Sequence, residues 1–292
     1  MEFYRTLSVG MSGEDVKHVK DALLRLGLLH ASMHSTFGND TKAAVESFQK
    51  AMSVTGIVDQ MVWTAIETAA AAVPDKPVGD GSIPSNIGED AATAIGVALA
   101  GVSVTRKGIA LDALQFAFDP SVPQEYPLSF YIRGGNLYDK DLSLHVMTAA
   151  RMESYFKKTS YAQFFDNGRK EMMLDACVSR GYVISGADCS GGVVGLLRHA
   201  RVTSSGFDLS ANGFNASGSY THIDRGELQP ADILHKDGHV GMFVGGDYAV
   251  EWMGGAYGCQ LTKLSGRKGY SFVTKRTGNM GAWQNFLRPR FY

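Results

Sequence analysis

Cys189, His239 and Glu251 have the residue types and the order along the chain that thiol chemistry needs. A thiolate attacks a carbonyl, and an imidazole takes the thiol proton and later gives it to the leaving amine. A third polar group holds the imidazole in place. Cys189 stands in SGADCSGGVVGLLRHA, residues 185–200, between Asp188 and Ser190 and among glycines. Either neighbour can cap a helix, and Val193, Val194, Leu196, Leu197 and Ala200 recur at the spacing of a buried one. The positive end of a helix favours a thiolate, and the glycines let another segment approach the backbone. The alternative is a small buried hydrophobe, which is the reading for Cys177 and Cys259.

The elements that must carry the imidazole follow from Gln229 onward, where the apolar period becomes two. HVGMFVGG, DYAVEWMGG, CQLTKL and GYSFVTKR read as four antiparallel strands with glycine-rich turns. His239 opens the first. A three-residue loop, Gly245–Gly246–Asp247, pairs Val244 with Tyr248, sets Gly241 opposite Glu251 and makes His239 the diagonal neighbour of Glu251 on one face. A two-residue loop would put them on opposite faces. Trp252 then points to the other face, into the core. His235 is the rival base, able to share the face of His239 or to sit at the strand mouth, binding or simply exposed, and Asp232 fixes a turn entering the strand. The remaining histidines form no metal-spaced cluster, so no metal or cofactor is expected.

The chain has 292 residues and a formal net charge of −1, enough for two domains and no argument for nucleic acid. Seven lysines and arginines and no acidic residue follow Glu251, which reads as blunted edge strands or as a surface for an anionic polymer. Three cysteines are no disulfide framework. The N-terminal stretch does not read as a signal peptide, and the weakly polar run 91–104 is too short to span a bilayer, so no membrane insertion is expected. Nothing here sets the oligomeric state; a monomer is the default.

Residues 1–72 read as a small helical domain, with stripes at Val16, Val19, Leu23, Leu24 and Leu26, at Ala44, Val45, Phe48 and Ala51, and at Trp63, Ile66 and Ala69. LSVGMSGEDVKHVKDALLRLGLL, FGNDTKAAVESFQKA and GIVDQMVWTAI together resemble the three-helix peptidoglycan-binding domain of cell-wall hydrolases. His34–Ser35 replace the Asp–Gly usual before Phe37–Gly38, and Asp59 replaces a glycine. Residues 73–86 are rich in proline and glycine and read as a linker. Residues 87–140 read as a helical extension of the catalytic domain, with a strand within 126–135 ending at Gly134–Gly135. Helices are expected over 142–158 and 167–180, and Tyr126, Phe130, Tyr131 and Tyr138 read as core and rim.

DCSG followed by LQPADILHKDGHVGMFVGGDYAVEW resembles the NlpC-type family of cell-wall cysteine peptidases, in a domain spanning 141–292. The resemblance implies a papain-like α+β fold, a helix-borne cysteine on an antiparallel sheet, and cleavage of the D-glutamyl–diamino acid bond of peptidoglycan. It makes Cys189 the nucleophile, His239 the base and Glu251 the third residue, where His, Asn or Gln is commoner. It makes Asp188, Ser190 and, with a compressed spacing, Tyr182 substrate-binding residues. Gly192 stands where a bulky residue is usual, and Ala231 where glycine is. With the N-terminal domain, this implies a lysin of phage type that is made in the cytoplasm, reaches the wall through a membrane pore or non-classical export, and has peptidoglycan as partner. The alternatives are an N-acetylmuramoyl-L-alanine amidase on the same fold and an inactive wall-anchoring protein.

Overall fold

The computed structural model describes residues 2–26, 28, 36–51, 53–72, 82–139, 141–204 and 206–292. Most of the expected linker (73–81), the His34–Ser35 pair and the side chain of Leu24 lie outside the described residues. The chain divides into two compact units, Met1–Lys76 and Pro77–Tyr292, and the fold is α+β.

The N-terminal unit packs α1 (Glu14–Arg25), α2 (Asn39–Phe48) and α3 (Gln60–Ala72) around Val16, Val19, Leu23, Phe37, Val45, Trp63 and Ile66. Leu26 and Phe48 pack at the edge of this core. Asp59, unexpected at its turn, accepts from the Val62 N–H at 2.9 Å and so satisfies an orphan donor at the start of α3. Gln49 is fully buried and holds the 55–57 turn through the Gly56 N–H at 2.9 Å and the Ile57 carbonyl at 3.1 Å.

In the C-terminal unit α4 (Glu89–Ala100) and α5 (Val104–Leu114) precede β1 (Ser129–Tyr131). Then come α6 (Ala149–Phe156), α7 (Arg169–Leu174), β2 (Ser185–Ala187), α8 (Cys189–His199) and α9 (Ala211–Ala216). Strands β3 (Tyr220–Ile223), β4 (Ile233–Lys236), β5 (His239–Gly245), β6 (Tyr248–Trp252), β7 (Cys259–Lys263), β8 (Lys268–Ser271), β9 (Arg276–Asn279) and β10 (Asn285–Pro289) complete it. Six of these form one antiparallel sheet in the order β3-β10-β4-β5-β6-β7. The helices α4, α5 and α8 share one core with the face of that sheet carrying Ile233, Val240, Met242, Val250 and Trp252. Leu234, Phe243, Ala249 and Trp283 form a smaller cluster on the other face.

Residues 87–140 are thus built into the main core. GYSFVTKR is not a fourth strand of the sheet: it turns at Lys275 (φ 56°), and β8 pairs only with β9. Residues 142–148 are not helical, because Leu142 (φ 66°) and bridges from Leu144 and Val146 hold them extended. Residues 175–179 continue α7 as a π-helical turn.

Candidate active site

Asp188 starts α8 as its cap. One carboxylate oxygen accepts from the Gly191 N–H at 2.7 Å and the Ser190 hydroxyl at 3.0 Å, and the other from the Gly134 N–H at 2.8 Å. This ties the helix start to the turn after β1. Two glycines make the contact possible. A Cβ at Gly191 would lie 1.9 Å from the Gly135 carbonyl oxygen, and one at Gly192 would lie 2.2 Å from the Trp252 ring. The small residue at 192 therefore makes room for Trp252, which is fully buried and donates to the Ser129 hydroxyl at 2.9 Å. Val193, Val194, Leu196 and Leu197 are buried, while Ala200 lies past the helix end and is exposed.

The thiol of Cys189 lies against the Gly238 carbonyl, Sγ···O 4.0 Å, at the start of β5, and interacts with the His239 ring. His239 Nε2 lies 2.7 Å from Glu251 Oε2, which leaves Nδ1 for the thiol. The register that brings them together is the expected one, reached by a different turn. Met242 faces Val250, and a Cβ at Gly241 would lie 3.1 Å from that of Glu251. The loop is the two-residue Gly246–Asp247, closed by Gly245 opposite Tyr248, and a bulge between Phe243 and Gly245 takes up the extra residue. The glycines supply the positive φ, 119° at Gly245 and 60° at Gly246.

Glu251 is fully buried. Besides His239, it accepts from the Thr262 hydroxyl at 2.6 Å, from Arg267 Nε at 2.7 Å and from the second arm of the same guanidinium. Burial would raise its pKa; Arg267 first, then His239, hold it down at about 2. Burial would lower the pKa of His239, but its bonds to Cys189 and Glu251 and their negative charge raise it to about 9. Both groups pack on Trp283: His239 stacks on it at 5.5 Å and 13°, and Arg267 lies over it at 4.3 Å. Arg267 and Trp283 escaped the sequence reading. The acid-free stretch after Glu251 was their one signal, and it concealed a buried ion pair.

His235 does not share the face of His239, nor is it exposed. It pairs with Val240 on the core side of the sheet and is buried, with Nε2 3.1 Å from Asn212 Oδ1 and Nδ1 2.9 Å from Asn285 Nδ2. An acceptor at one nitrogen and a donor at the other define a neutral ring, and burial lowers its pKa. Asn212 also accepts from the Gly238 N–H at 2.8 Å, bracing the turn before His239. Asp232 accepts from the Gln229 N–H at 2.9 Å, as its turn role requires.

Tyr182 is half exposed, with its ring against Tyr126 at 5.4 Å. The tyrosine that interacts with Cys189 and Asp188 is Tyr131, which the parallel pairing of β1 and β2 sets beside Ala187. Burial, then the charges of Cys189 and Asp188, push its pKa to about 12, so it remains a phenol able to donate. Its sequence signal was its place before Gly134–Gly135. A cavity of about 380 Å³ opens beside the helix start, lined by Gly134, Asn136, Asp188, Ser190, Asp208 and Ser210 among others.

Residues 12–66 match the peptidoglycan binding domain family. The N-terminal unit thus carries a peptidoglycan-binding domain, which associates the chain with the cell wall. The match covers that unit alone, and no curated protein matches the chain. Among the described residues no helix is long and apolar enough to cross a membrane.

Proposed function

We propose that the C-terminal unit is a papain-like cysteine peptidase of NlpC type that hydrolyses a stem-peptide amide of peptidoglycan, the D-glutamyl–diamino acid bond, while the N-terminal unit holds the wall. One observation carries this reading: a cysteine at a helix start meets the start of β5 and interacts there with a histidine whose other ring nitrogen is bound to a buried, ionised carboxylate. His239 takes the thiol proton, and the sulfur attacks the carbonyl carbon. The first-turn N–H groups of a helix have no intrahelical partner; that of Gly191 is taken by Asp188, and that of Cys189 is the donor this reading assigns to the developing oxyanion. The C–N bond breaks as the imidazolium protonates the leaving amine. Water then cleaves the thioester, giving its proton to His239 and returning the thiolate. Glu251 accepts the Nε2–H bond and stabilises the imidazolium without itself taking a proton. Tethering to the wall raises the effective concentration of stem peptides at the site, as in a lysin.

Mass spectrometry of digested peptidoglycan tests this through the new termini. The expected product is a free amine on the diamino acid, absent after Cys189→Ala. A free amine on L-alanine would establish the amidase alternative, and no new terminus would leave a wall-anchoring protein.

A further inference from the structure

Arg133 lies in the turn after β1, which is held to the segment that carries Cys189, and no ion pair joins it to a carboxylate among the described residues. Side chains alternate along β1 and just beyond it. Phe130 and Ile132 enter the core shared with Met147 and Ile184, whereas Tyr131 belongs to the core that includes Cys189. Arg133, in the turn that follows, lies on the side of Tyr131, with which it interacts. The backbone on either side of it is pinned to the nucleophile segment: Ile132 N–H donates to the Ala187 carbonyl at 2.9 Å and Gly134 N–H to Asp188 at 2.8 Å. The guanidinium is exposed, lies 5.4 Å over the Phe164 ring and interacts with the Tyr131 hydroxyl. No ion pair joins it to Asp188, whose oxygens accept from Gly134, Ser190 and Gly191.

A planar cation held on an aromatic ring keeps its remaining donors preorganised for an anion. In a γ-linked glutamyl peptide the α-carbon and two methylenes separate the free α-carboxylate from the carbonyl that the thiol attacks. We propose that Arg133 binds this carboxylate and makes the enzyme selective for stems whose glutamyl α-carboxylate is free rather than amidated. The proposal rests on the peptidase reading of Cys189.

Two synthetic stem peptides, identical except for an α-carboxylate or an α-carboxamide on the glutamyl residue, test it. The wild type should cleave the carboxylate peptide with a kcat/KM about ten-fold higher. Arg133→Gln should lose that preference through KM with kcat little changed, and Arg133→Lys should keep part of it. Equal cleavage by the wild type, or a preference that survives Arg133→Gln, overturns the proposal. Binding of the uncut peptides to Cys189→Ala separates this from the peptidase reading. Tighter binding of the carboxylate peptide, lost in Cys189→Ala/Arg133→Gln, supports Arg133 even if no peptide is hydrolysed. Equal affinities refute it.

Discussion

Asp232 and Glu251 are both fully buried carboxylates in one sheet, and both are held by arginine. Asp232, just before β4, meets Arg106 of α5 at 2.8 Å and Arg288 of β10 at 2.8 Å. Neither partner can release a proton, so the cluster ties helix to sheet and does nothing else. Glu251 meets one arginine, a hydroxyl and an imidazole. The last partner titrates and its far nitrogen faces a thiol. The difference teaches that a buried arginine–carboxylate pair is architecture until one partner can carry a proton to a reacting atom.

The largest effect should come from the ends of the reactive line. Cys189→Ala and His239→Ala should each lower release of new amino termini at least ~1,000-fold; Cys189→Ala should leave thermal melting little changed, whereas His239→Ala takes a partner from buried Glu251 and should lower it. The double variant should be no slower than either single one. Substantial turnover in His239→Ala would erase the distinction between the two carboxylates.

Next come the carboxylates themselves. Asp232→Asn should cost about 3–5 kcal/mol in denaturant unfolding, because Arg106 and Arg288 lose their anion, yet leave kcat of the folded fraction unchanged. Glu251→Ala should lose about 100-fold or more in turnover, and Glu251→Gln less, because an amide oxygen still accepts from the ring. With its pKa raised to about 9, His239 keeps its proton until the pH passes that value. The alkaline limb of kcat/KM should therefore lie near 9 in the wild type and move down by about one unit or more in Glu251→Gln. An unmoved limb would mean that Glu251 is as structural as Asp232.

The two histidines of β4 and β5 sharpen the contrast through stability. His239 is raised, so its contribution is complete below its ordinary pKa of 6.5 and lost as pH rises through about 9. His235 is lowered, so the fold favours its neutral form and loses stability as pH falls below 6.5. Stability measured against pH should show both limbs. His239→Gln should flatten the alkaline one alone and His235→Gln the acidic one alone. The smallest effect concerns Ala231, held at φ 70° where glycine is at ease. Ala231→Gly should raise stability by up to about 1 kcal/mol with activity unchanged, net of the extra freedom glycine has when unfolded.

Much of this site was legible in the chain because its parts are local. A cap, a run of glycines and an apolar stripe announce α8 within a dozen residues, and period-two alternation announces β5 and β6. Even the face shared by His239 and Glu251 followed from counting, although the extra residue is a bulge in β5 rather than a third loop residue. The expected three-residue turn, and the exclusion of a two-residue one, did not hold: the bulge restores the parity that a two-residue loop alone would have broken.

The sequence by itself therefore determined the helical N-terminal domain, the helix-borne cysteine and the pairing of His239 with Glu251, all set by short-range periodicity and turn chemistry. Only the tertiary structure decided what surrounds them. Tyr131 enters the core that includes Cys189 through a parallel pairing of distant segments and feels its charge, whereas Tyr182, nearer in sequence, packs on Tyr126 instead. Arg267 and Trp283 reach Glu251 and His239 because the chain leaves the sheet after β7 and returns at β10. His235 faces the core because it lies on the neighbouring strand with the opposite parity. Pairing between distant segments is selected by burial of the whole core, and no local pattern encodes which distant partner a strand or a charge will meet.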